Sequence, residues 1–206
     1  MFGIPLAAAL IILPHVTSAQ RGSWTRSAQP ALGRALLLAL LAWWTWQFVP
    51  HPLDWSRTNA SFLHLVNLPF HEAGHILFTP FGEFLTILGG SLFQVIVPIV
   101  CAGALARRDD WFGATACGWW AGESLVDVAP YIADARALQM PLLGGGTGAE
   151  VEGHDWEGIL GRLGLLHLDH TLGMGVHVAG SVVMIAALVL GAWLLLSGPR
   201  TEAVEA

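Results

Sequence analysis

The sequence predicts an all-α, polytopic membrane protein: one integral membrane domain over residues 1–206, with four to six transmembrane or re-entrant segments. Three observations lead there. Hydrophobic residues make up 54% of the chain and charged residues only 12%, against about 25% charged in a soluble domain. The apolar residues fall into helix-length runs separated by polar or Gly/Pro-containing stretches. Ionisable residues inside those runs concentrate in two of them, and each costs of order 2.5–3.5 kcal/mol to insert into hydrocarbon.

The N-terminal part, 1–30, comprises an apolar segment (2–19) and a polar linker with Arg21 and Arg26. Thr17-Ser18-Ala19-Gln20 has the look of a signal-cleavage site, but no basic residue precedes the run, and Pro5 and Pro14 interrupt it; a retained membrane segment is favoured over a cleaved signal. Residues 31–49 form a transmembrane helix with Arg34 near its start. Trp43, Trp44 and Trp46 at its end form, with Trp55, an interfacial aromatic belt. Residues 50–60 are an interfacial loop, and His51 and His64 read as interfacial or core histidines.

Residues 61–79 are an apolar helix, kinked or started near Pro69 and stopped by Thr79-Pro80-Phe81-Gly82. The stretch from Glu83 to Gly90 reads as an extended re-entrant segment. Residues 91–106 make a span with Gln94 as its polar member, and residues 111–137 a longer one. In the longer span Glu123, Asp127 and Asp134 share a helix face with Tyr131. A Gly-rich, acidic loop (138–172), a final span (173–196) and a polar tail (197–206) complete the chain; within the loop, His154-Asp155-Trp156 reads by default as surface.

All nine basic residues are arginine, and the net charge of −6 is dispersed, so nothing points to nucleic acid. Cys101 and Cys117 both lie in apolar helices and offer neither a disulfide nor a thiolate metal framework.

The chemistry is organised around His71-Glu72-Ala73-Gly74-His75. Histidines four apart on a helix lie about 6 Å apart along the axis, so both imidazoles can hold one metal ion. Glu72 points about 100° away, where a carboxylate can take a proton from water. Two imidazoles and a carboxylate with an open position suit catalytic Zn²⁺. The two polar helices also explain each other, since a cation between them compensates the acids. Matching depth on the 111–137 span favours Asp127 as third ligand. Asp134, Glu123, and His154 or Asp155 folding back from the loop stay open, and Asp134 has alternative uses in orienting a ligand imidazole or pairing with Arg136.

These residues resemble a known family. His71-Glu72-Ala73-Gly74-His75 looks like the HExGH motif of the site-2 protease-like intramembrane zinc metalloproteases (peptidase family M50), and Gly82 with Gly89-Gly90 looks like that group's re-entrant stretch. The likeness covers roughly residues 61–137. Where the family places an Asp-Gly-containing stretch, this chain has Glu123 through Ala135, as a divergent branch would. The resemblance implies a three-helix metalloprotease-like core in a multi-pass protein of the cell inner or plasma membrane. It also implies a zinc endopeptidase cutting a transmembrane protein substrate in or beside the bilayer, with His71 and His75 on Zn²⁺ and Glu72 as general base; the family's acid ligand has no matching stretch here, and Asp127 takes that place by depth alone. The alternatives are a catalytically silent metal-binding protein of the same fold and, behind it, a metal transporter.

Overall fold

The computed structural model describes residues 31–197. The expected N-terminal apolar segment, the linker to residue 30 and the tail after residue 197 lie outside the described residues. Among these residues the chain is all-helical: α1 (Ala31–Phe48), α2 (Trp55–Asn59), α3 (Phe62–Phe78), α4 (Glu83–Ala106), α5 (Trp111–Ala133), α6 (Asp155–Leu163) and α7 (Asp169–Leu196). Single 3₁₀ turns occupy Thr79–Phe81 and Leu166–Leu168, and one antiparallel bridge, Pro141 to Thr147, pins the long loop.

Two stretches, Glu83–Ala106 and Leu166–Leu196, are long and apolar enough to cross a membrane. Only 28% and 22% of their apolar windows are buried, unlike the core helix of a soluble protein, which is covered all round.

The extended re-entrant stretch expected at 83–90 is instead the first two turns of α4. Gly82, at φ +94°, makes the sharp entry that only glycine adopts freely, and helix follows at once. Gly89 and Gly90 do not break that helix; they bring it against α3. A Cβ on Gly74 would lie 2.1 Å from the Gly89 carbonyl oxygen, so the two backbones touch. The α5–α7 contact uses the same device: a Cβ on Gly180 would lie 2.5 Å from the Gly122 carbonyl oxygen, and one on Gly173 lies 2.7 Å from that of Ala129.

Core side chains fill the remaining space in two groups. Leu41, Phe48, Trp119, Val126 and Met184 join α1, α5 and α7, and the Trp119 indole N–H donates to Thr45 Oγ1 at 2.8 Å. Trp43 and Trp46 face outward as an aromatic belt would, but Trp44 packs on Trp119. The second group, Val128, Ile132, Ala135, Ile159 and Leu160, seats α6 against the end of α5. The 138–172 segment, expected as loop, therefore contains a nine-residue amphipathic helix. Its N-cap is His154, whose Nδ1 accepts from Glu157 N at 3.2 Å, and Gly164 (φ +68°) ends it. Arg162 donates to Glu83 and ties α6 to the start of α4.

The backbone contact sets a test. Gly74→Ala forces α3 and α4 apart at a cost of about 1–3 kcal/mol, seen as a lower thermal unfolding midpoint in detergent. Gly175→Ala, facing open space, leaves the midpoint unchanged.

Candidate metal centre

The Ser61 hydroxyl caps α3, accepting from Leu63 N at 3.1 Å, and two and a half turns on the helix presents His71 and His75 toward α4. Their ring centroids are 5.0 Å apart. Gly90 makes the room they occupy, because a Cβ there would lie 2.5 Å from His75 Nε2 and 2.7 Å from His71 Nε2.

Both imidazoles are fixed at their far nitrogen. His75 Nδ1 lies 2.8 Å from the Thr86 carbonyl oxygen, which only accepts, so Nδ1 carries the proton. His71 Nδ1 lies 3.2 Å from Gln94 Oε1. The Gln94 amide nitrogen donates to Asp127 Oδ2 at 2.9 Å, which leaves Oε1 to accept from His71. Once the rings are neutral, as metal binding requires, both Nε2 atoms therefore offer lone pairs.

Those lone pairs face a carboxylate. Asp155 Oδ2 lies 3.0 Å from His71 Nε2 and 3.3 Å from His75 Nε2. Three acceptors converging repel one another unless a ring proton or a cation sits among them. Donors on one tetrahedral ion at 2.0–2.2 Å lie about 3.3 Å apart, close to the separations here, and all three donor atoms fall within 4.8 Å of one another. The set fits a divalent cation with an open position. Without a metal the same contacts need ring protons: burial pushes the Asp155 carboxyl up, and the His71 and His75 imidazoles, when they carry a proton at Nε2, pull it back below the ordinary aspartate range.

Asp155 thus stands where Asp127 was expected. The reason is that the Asp127 carboxylate is fully engaged elsewhere: Oδ1 lies 2.9 Å from His64 Nδ1, and Oδ2 accepts from Gln94 and, at 3.2 Å, from Asn67 Nδ2. Asn67 also donates to Glu123 Oε2 at 2.9 Å and accepts from the Trp120 indole N–H at 2.8 Å. Both buried acids of α5 are met by hydrogen-bond donors rather than by the donor cluster. Asp134 likewise lies outside the converging donor set. It accepts from Gln139 N and Met140 N at 3.0 and 2.9 Å and faces His154 Nε2 at 3.4 Å. Arg136 pairs bidentately with Asp169, at 2.8 and 2.6 Å, and not with Asp134. Burial holds the His154 imidazole below the ordinary histidine range, in keeping with its Nδ1 accepting the Glu157 N–H.

A cleft of about 240 Å³ opens beside the cluster. His64, His71, Glu72, Asp127 and Tyr131 are among its polar lining residues, and Trp55, Leu65, Leu68, Leu142 and Leu143 among its apolar ones. His64, read from sequence as interfacial or core, lines the cleft and sits edge-on to Trp55 with centroids 5.4 Å apart. Glu72 lines the cleft without belonging to the donor set, so its carboxylate is placed to handle protons. Sequence reading gave no part to Asn67 or a role to Gln94. Their signal was an amide on each apolar helix, Asn67 one turn before His71.

No family model, no curated protein and no solved structure matches the chain.

Two substitutions separate ligand from support. Asp155→Ala abolishes stoichiometric metal binding by the purified protein. Asp127→Asn keeps one equivalent and weakens affinity about 10–100-fold, the usual cost of losing an outer partner. Atomic-emission analysis with a competitive chelator titration reads both.

Proposed function

We propose that the protein is a membrane-embedded zinc metallo-endopeptidase, akin to the site-2 protease-like M50 group, that hydrolyses peptide bonds in or next to the bilayer. The observation that carries this reading is Glu72: a carboxylate outside the ligand set, on the cleft wall next to His71, His75 and Asp155. A purely structural metal site has no use for such a base.

His71, His75 and Asp155 would hold the Zn²⁺, which when bound supplies Lewis acidity toward water and a substrate carbonyl. The Thr86 carbonyl and the Gln94–Asp127 pair keep the two imidazoles in the tautomer that binds through Nε2. Glu72 takes a proton from the attacking water as its oxygen bonds to the carbonyl carbon. When the C–N bond breaks, Glu72 delivers that proton to the amine nitrogen. Atoms and charge balance, with water as the only co-reactant.

Placement in a multi-pass membrane setting rests on the outward faces. Leu32, Leu36, Leu40 and Trp43 form an exposed stripe along α1, and Val178, Val182, Val189 and Trp193 form one along α7. Counting α3, α4 and α5 as further spans would make five, in keeping with the proposed four to six segments and with a place in the inner or plasma membrane of the cell. The apolar lining residues of the cleft, with no arginine among its described lining, suit a hydrophobic stretch of a transmembrane polypeptide. Transport of the metal is disfavoured because Glu123 and Asp127 are committed to Asn67 and Gln94 instead of lining a passage.

Glu72→Gln should keep the metal and lower cleavage of a transmembrane reporter in proteoliposomes by about 10²–10⁴-fold, the range for loss of a general base. Loss of metal together with activity would contradict the assigned role.

A further inference from the structure

We propose that the Tyr131 hydroxyl is a catalytic hydrogen-bond donor to the substrate carbonyl oxygen that gathers negative charge as water adds. The inference rests on the peptidase reading above and names a group that reading does not use.

Tyr131 is the single tyrosine of the chain, one helical turn beyond Asp127 on α5. Its ring lies between the site and the loop, with centroids 4.3 Å from His154 and 6.2 Å from His71. That sandwich fixes the ring plane, so the phenolic oxygen has one position. There it accepts the backbone N–H of Asp155 at 3.0 Å, which places the oxygen next to a ligand residue. Among the described residues no acceptor takes the Tyr131 proton, and the residue lines the same cleft as Glu72. One lone pair is therefore engaged, and the O–H is left to donate into the cleft.

A donor fixed before reaction is what a developing oxyanion needs, because it stabilises charge without reorganising at the moment of reaction. His71 and His75 have their N–H groups turned away to Gln94 and Thr86, so neither can serve. Glu72 carries the moving proton. Tyr131 donates a hydrogen bond and keeps its proton throughout, so the bonds formed and broken are those already given.

A purely structural tyrosine would use its hydroxyl only to hold the N–H of Asp155 at the start of α6. The two roles separate in the full chain, reconstituted and zinc-loaded. If Tyr131 acts as the donor, Tyr131→Phe keeps one equivalent of zinc with affinity within about threefold and KM little changed, while kcat falls about 10²–10³-fold, as for removal of an oxyanion donor. An unchanged kcat in Tyr131→Phe, or a loss of zinc parallel to the loss of activity, overturns the proposal and leaves the peptidase reading standing. A wild-type protein that cleaves no better than Glu72→Gln overturns both.

Discussion

The rest of the structure depends on the contact between the α3 and α4 backbones at Gly74 and Gly89. With any side chain at either position the helices would separate, since an added Cβ on Gly74 meets the Gly89 oxygen at 2.1 Å and one on Gly89 meets the Gly74 oxygen at 2.8 Å. That approach puts His71 and His75 over the bare surface of Gly90 and within reach of the Thr86 carbonyl and the Gln94 amide. Gln94 in turn reaches Asp127, which holds His64 and Asn67. One steric allowance on two helices thus fixes imidazole tautomers through a chain of donors and acceptors that ends on a third helix.

The acids are divided by function. Glu123 and Asp127 lie on an apolar helix and are met by polar partners there, Glu123 by the Asn67 amide and Asp127 by the Asn67 and Gln94 amides and the His64 imidazole. Asp155 comes from a different kind of element. It begins a short amphipathic helix that packs on α5 through Ile159 and Leu160 and is tied to α4 by Arg162 and Glu83. The proposed third ligand is therefore delivered by a segment between two long apolar helices, 80 residues after His75. The site is complete only when that segment is docked.

Much of this was legible in the sequence. The apolar runs marked α1, α3, α5 and α7 to within a few residues, and the pentapeptide placed His71, Glu72 and His75 together because helical spacing alone decides that geometry. Where the structure departs from that reading, the causes are physical. Gly89-Gly90 read as a backbone break, yet glycine in a helix serves equally as a point of close approach, and only the facing helix tells which. Asp127 was preferred as ligand by depth, on the premise that a buried acid needs a cation, whereas Asn67, Gln94 and His64 meet the same need with hydrogen bonds. Asp155 was obscured by its Gly-rich surroundings. The His154 cap and the apolar pair Ile159-Leu160 were the local marks of the helix that carries it.

The central claim is that His71, His75 and Asp155 form one zinc site. Zinc-edge X-ray absorption of the metal-loaded full chain in lipid nanodiscs tests it most directly. The account predicts two imidazole nitrogens at about 2.0–2.1 Å and carboxylate or water oxygens at about 2.0–2.2 Å, with no sulfur. The imidazole scattering should drop by one ring in His75→Ala. A first shell without histidine, a sulfur shell at about 2.3 Å, or zinc that washes out on a desalting column would contradict it.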